Sequence, residues 1–182
     1  ERNMTFRLLF MLLTSLIVSG GVRHGIERWS SRLMPLLIVL LLSLVIYVMF
    51  QPGAGAGFKV YLLPDFNRGI DFELIVNALG QAFFSLSLGV GTMLIYGSYI
   101  SKKENIISLG RTITLLDIGI AMLAGLLIIP AMYVAQHNGV EIFDAAGHLI
   151  AEDTLIFTVL PALFDTMGGA GVVVGFAFFV LL

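Results

Sequence analysis

Gln81-Ala82-Phe83-Phe84-Ser85-Leu86-Ser87-Leu88-Gly89-Val90-Gly91 is the stretch on which the fold turns. It lies near the middle of a run, Leu74 to Ile100, that holds no charged residue. A run of that length can cross a bilayer as a helix. Yet its centre carries two serines and two glycines, residues that weaken helix and suit close backbone packing. Irregular backbone at membrane depth is tolerated only where protein buries it or a cavity meets it. In secondary transporters such breaks hold substrate and ions.

The composition fits a lipid solvent. Hydrophobic residues make up 58% of the 182 and charged residues 12%, and the mean hydropathy is +1.00. A soluble domain carries roughly 25% charge. The sequence therefore predicts an all-α polytopic membrane protein. Its net charge of −2 carries no information about partners, because orientation follows Lys and Arg placement. There is no cysteine, which removes disulfide and thiolate chemistry. Glu1-Arg2-Asn3 lacks a Met start and the flanks of a signal peptide, so the chain is expected to begin inside a longer protein.

Working outward, the expected spans cover about 4–21, 33–50, 74–100 and 106–135. The first is interrupted only by Arg7 and ends at Gly20-Gly21. The connector Val22–Arg32 is basic, with Arg23, Arg28 and Arg32 against Glu27. Pro35 is expected in the first turn of the second span, where a missing N–H costs little. Gln51–Asp71 reads as a flexible loop, Gly-rich at its start, with Asp65, Arg68 and Asp71 solvated. A second basic connector holds Lys102, Lys103 and Arg111. The segment 136–171 has five acids (Glu141, Asp144, Glu152, Asp153 and Asp165) and no Lys or Arg, and within it Thr154–Asp165 is apolar enough for a short helix. The last apolar run, 172–182, is too short to cross and is expected to be a truncated span. The positive-inside rule puts both basic connectors in the cytoplasm and the acidic loop outside.

Glu73 and Lys102 bracket the third span, so Ser85–Gly89 falls near the bilayer centre. An unwound helix there ends in free carbonyls and restarts with free N–H groups. Carbonyls and hydroxyls suit Na⁺, and the amide end suits a carboxylate. The alternative is an intact helix using Ser and Gly for packing. Asp117 is the one charge that looks buried in the fourth span. An ionisable residue inside a membrane helix is costly, and an ion or proton site accounts for it. Counted from Glu104, it lies about 20 Å along the helix, near the depth of Ser85. The alternative pairs it with Arg111 at the inner interface. His24, His137 and His148 have no metal-ligand spacing. No serine has a positioned base and no Gly-rich loop follows a strand, so an enzyme is not expected. Nucleic acid is not expected as a partner.

Gly80–Gly91, followed by Tyr96-Gly97-Ser98-Tyr99, closely resembles the sixth transmembrane helix of the neurotransmitter:sodium symporter family, with bacterial amino-acid transporters nearest. Three collinear pieces carry the resemblance further. Gly25-Ile26-Glu27-Arg28 with Met34-Pro35 is similar to the connector into helix five. Asp117 with Ala124-Gly125 and Ile129-Pro130 is similar to helix seven. Thr158–Phe164 is similar to the external loop before helix eight. The resemblance covers helices four to the first half of eight.

It implies a partial LeuT-like inverted-repeat transporter fold with a helix discontinuous at about 84–90. It implies sodium-coupled symport of an amino acid or related amine by alternating access, in the inner (plasma) membrane. By position, Ser85 and Asp117 are implied as ligands of one sodium ion, the latter position being usually Asn in the family. Phe84 is implied as the lid over the substrate and Gln81 as a neighbouring gate. Ser85, Ser87, Gly89, Val90 and Gly91, with Phe84, are implied as the pocket wall. Val90 stands where many members have Phe, which makes room for a bulkier substrate. The carboxylate of Asp117 is expected to make transport independent of chloride. Helices one, three and eight of the family supply the other ligands, so the chain is expected to need the missing helices of the same transporter. The alternatives are a proton-coupled transporter of a related broken-helix family and a non-transporting helical membrane subunit.

Overall fold

The computed structural model describes residues 2–63, 71–101, 103–142 and 155–182, apart from the side chains of residues 2, 3 and 22–24. The expectations for Asp65, Arg68, Lys102, Asp144, His148, Glu152, Asp153 and the Arg23 and His24 side chains lie outside what is described. The elements of the described residues are all helical. They are α1 (Arg2–Ser19), a π-helical segment (Val22–Glu27), α2 (Arg28–Met49), α3 (Ala54–Leu62), α4 (Phe72–Ser85), α5 (Thr92–Ser98), α6 (Ile106–His137), α7 (Leu155–Asp165) and α8 (Gly169–Leu181).

Each packed helix buries one stripe at helical spacing. In α2 the stripe is Leu41, Leu44, Val45 and Val48. In the second half of α6 it is Leu127, Ala131, Val134 and Ala135. Val159, Leu160, Leu163 and Phe164 of α7 and Phe178 of α8 close the same core, and Ile142 tucks in after α6. The core therefore sits where α2, the second half of α6, α7 and α8 meet. The first half of α6 extends beyond it, and no residue of α4 or α5 is buried. The helix starts have chemical causes. The Asp71 carboxylate accepts the Phe72 N–H at 2.6 Å, and Asn105 Oδ1 accepts the N–H groups of Ile107 and Ser108 at 3.0 and 3.3 Å.

Two sequence expectations are corrected. The second helix, expected over 33–50, begins earlier: the basic connector 22–32 is helical, a π-helical turn feeding directly into α2 at Arg28. Pro35 therefore lies inside α2 rather than in its first turn, and it deprives the Ser31 carbonyl of its i+4 donor. The Gly- and Ala-rich segment after Gln51, read as flexible, contains α3. Its small residues serve close approach. A Cβ at Gly57 would lie 2.5 Å from Pro130 Cα and 3.0 Å from the Ile129 carbonyl oxygen. Packing of α3 on α6 overrides the weak helix propensity of glycine.

A candidate ion site at the end of α4

The run 74–100 divides into two helices with a non-helical segment between them. α4 stops at Ser85, and α5 starts at Thr92. The last turn of α4 closes on itself: the N–H of Leu86 donates to Ala82 O at 3.1 Å, that of Ser87 to Phe84 O at 3.0 Å, and that of Leu88 to Phe83 O at 2.9 Å. The N–H groups of Gly89, Val90 and Gly91 then make no backbone hydrogen bond among the described residues. The cause is local. Ser87 has φ 53°, and Gly89 and Gly91 both have φ 81°. Left-handed backbone cannot propagate a right-handed helix, and glycine enters it without steric cost.

The end of α4 meets the middle of α6. The Ser85 hydroxyl donates to Asp117 Oδ1 at 2.7 Å. That length is typical of a charge-assisted O–H···O⁻ bond. Asp117 is half-buried. Its hydrogen-bond partner is Ser85. The residues meeting at this point are a carboxylate and a hydroxyl, both hard oxygen donors of the type that binds Na⁺ and similar cations. Unsatisfied backbone groups begin within one turn of them.

The other candidates are spread along the same segment. Gln81 and Phe84 lie on exposed turns of α4, Phe84 at 81% exposure. Val90 is 72% exposed, while Ser87 and Gly91 are partly covered. The described residues thus bring Ser85 and Asp117 together, while Phe84, Gly89 and Val90 stay exposed within this chain.

One neighbour was missed in the sequence. Asp117 also lines a groove of about 620 Å³ with Glu27, Ser30, Ser31 and Pro35 of α2 and the turn before it. Glu27, Ser30 or Ser31, and Met34 recur at i, i+3 or i+4, and i+7, so they share one helix face. That signal was legible, but only once the connector is read as helix.

A sequence profile described as the sodium:neurotransmitter symporter family matches residues 2–182. The chain is 40% identical over 166 residues to an uncharacterized sodium-dependent transporter, YhdH, of Bacillus subtilis, covering 91% of this chain and 34% of the relative. It is 38% identical over 177 residues to an uncharacterized sodium-dependent transporter of Haemophilus influenzae, covering 97% and 36%. It is 36% identical over 108 residues to the human sodium- and chloride-dependent taurine transporter, covering 59% and 17%. The chain spans about a third of the length of the two bacterial relatives.

Proposed function

The chain belongs to the sodium:neurotransmitter symporter family, and on that premise we propose that it forms part of a sodium-coupled symporter for an amino acid or related amine. The observation that carries the reading is the hydrogen bond from Ser85 to Asp117. It joins the end of a broken helix to a carboxylate on the neighbouring helix, where a membrane-embedded charge needs a reason. Sodium would replace the hydroxyl proton as the partner of the carboxylate, with Ser85 Oγ turned to offer a lone pair. Binding would thereby fix α4 against α6 and organise the adjoining pocket, walled by Phe84, Ser87, Gly89, Val90 and Gly91, with Gln81 beside the gate.

α4, the non-helical segment and α5 are read as one membrane crossing broken near its middle. α2 and α6 are each long enough to cross, with mean hydropathy 2.4 for Gly25–Met49 and 2.3 for Ile106–His137. The basic connectors 22–32 and 101–111 would face the cytoplasm, and the acidic segment 136–171 the outside. Helices outside this chain would complete the site. Alternating access follows if the sodium-bound and empty arrangements differ in which side they open. One charge crossing the potential supplies about 2.3 kcal/mol per 100 mV.

The test is uptake of radiolabelled leucine or tryptophan by the full-length protein in proteoliposomes. Inward sodium gradients are expected to drive accumulation, and replacing sodium by choline to stop it. Accumulation driven by a proton gradient alone would favour the proton-coupled alternative. A non-transporting helical subunit calls for backbone hydrogen bonds running from Ser85 through Gly89, and the positive φ values at Ser87 and Gly89 count against it.

Chloride offers a second check. The human relative named above is described as chloride-dependent. Here Asp117 would provide a fixed negative charge beside the sodium. Uptake is expected to persist when gluconate replaces chloride. In Asp117→Asn, uptake should fall by tenfold or more in gluconate and recover in part when chloride returns. Chloride-dependent uptake by the unsubstituted protein would show that the carboxylate does not play this part.

A further inference from the structure

We infer that α3 is a splint across a soft joint of α6 and that Tyr61 is a positioning residue for the Ser85–Asp117 site. The inference rests on the proposed sodium site. α6 is weak between Gly125 and Pro130. Pro130 lies inside the helix and donates no hydrogen bond to the Leu126 carbonyl. Gly125 costs about 1 kcal/mol of helix propensity relative to alanine. The two sides of this joint differ in how they are held. Beyond it, Ala131, Met132, Val134 and Ala135 are buried in the core. Before it, this chain buries no residue of Ile106–Leu126 fully, so within the chain the Asp117 segment is held through Ser85 and Tyr61.

α3 grips α6 on both sides of the joint. On the core side, Gly57 lies against Pro130 and Ile129 with no room for a side chain. On the other side, one turn further along α3, the Tyr61 hydroxyl donates to the Met122 carbonyl at 3.0 Å. The ring lies over Gly125, where an added Cβ would fall 2.6 Å from the hydroxyl oxygen and 2.8 Å from two ring carbons. Met122 is five residues past Asp117, about 7.5 Å along the helix. Holding Met122 relative to Pro130 thus fixes the direction in which the Asp117 segment leaves the core. Without the splint the segment would pivot about Gly125–Pro130, and the carboxylate would swing relative to Ser85, its hydrogen-bond partner. Small displacements at such a site matter because ligand geometry must be held to about 0.5 Å.

The experiment uses the purified full-length protein and needs no substrate. Melting temperature is followed as NaCl replaces choline chloride, which gives the half-saturating sodium concentration. Tyr61→Phe keeps the ring and removes the bond to Met122. The half-saturating concentration is expected to rise three- to tenfold, with the melting temperature in choline lowered by no more than a few degrees. Pro130→Ala restores the missing N–H and stiffens the joint from within. In that background, Tyr61→Phe is expected to change the sodium response less than twofold. An unchanged half-saturating concentration in Tyr61→Phe overturns the inference, as does a shift of the same size with and without Pro130. If the unsubstituted protein shows no sodium-dependent stabilisation, the sodium reading itself fails, and that outcome is distinct from either.

Discussion

Asp117→Ala in the full-length protein is expected to abolish sodium-driven uptake at physiological sodium, and Ser85→Ala to weaken it by a smaller factor. The difference follows from charge. Two unit charges 4 Å apart attract by about 4 kcal/mol at an effective dielectric near 20. Removing the carboxylate therefore costs sodium affinity on the order of a thousandfold, at 1.4 kcal/mol per decade. The Ser85 hydroxyl is neutral, and hydrogen bonds or dipole contacts to charged groups are worth roughly 1.5–3 kcal/mol. Its loss should raise the half-saturating sodium concentration by about ten- to a hundredfold. The pair is in direct contact at 2.7 Å, so the effects should not add: the double variant should be little worse than Asp117→Ala. The measurement is the sodium titration of uptake, repeated as sodium-induced thermal stabilisation so that binding and transport are separated. Half-saturating sodium that stays put in both single variants would exclude this pair as the ion site.

That pairing was legible in the sequence for a physical reason. Ser85 and Asp117 each break a rule of membrane helices, one by sitting in a Gly- and Ser-rich centre and the other by carrying charge. Counting residues from the flanking charges put both at one depth. The helical class was also readable from the long apolar runs, and α2 and α6 bury residues at i, i+3, i+4 and i+7. What escaped was tertiary. α3 is poor helix by composition and exists because Gly57 fits against Pro130. The connector before α2 is charged enough to look like a loop, yet its residues pass through a π-helical turn without a stop. Tyr61 had no sequence signature at all: its role depends on a carbonyl sixty-one positions away in the chain. Glu27 reads in the sequence only as the acid of a basic connector, and the continuous helix is what sets it and Ser30 on the groove that Asp117 lines.

Gly89→Ala with Gly91→Ala is expected to stop uptake without unfolding the protein, because it moves the equilibrium between a broken and a continuous helix. Each glycine has φ 81°, where an L-residue pays about 1–2 kcal/mol. Each also gains about 1 kcal/mol of helix propensity on becoming alanine. The two effects have the same sign, so each substitution favours the continuous form by roughly 2–3 kcal/mol and the pair by roughly 4–6 kcal/mol. A shift of about 5.5 kcal/mol takes a two-state equilibrium from 99:1 to 1:99. A continuous helix would withdraw the free N–H groups of residues 89–91 into its own ladder and leave none for a substrate carboxylate. Amide exchange should report the change directly, with protection at 89–91 rising while that of the core stripe in α2 stays constant. Ser87→Gly acts in the opposite sense, since it relieves a non-glycine residue at φ 53° and leaves those amides exchanging at least as fast. If the double alanine variant keeps both rapid exchange at 89–91 and full uptake, the break is imposed by surrounding helices rather than by its own residues. The left-handed glycines would then be a consequence of the site and not its cause.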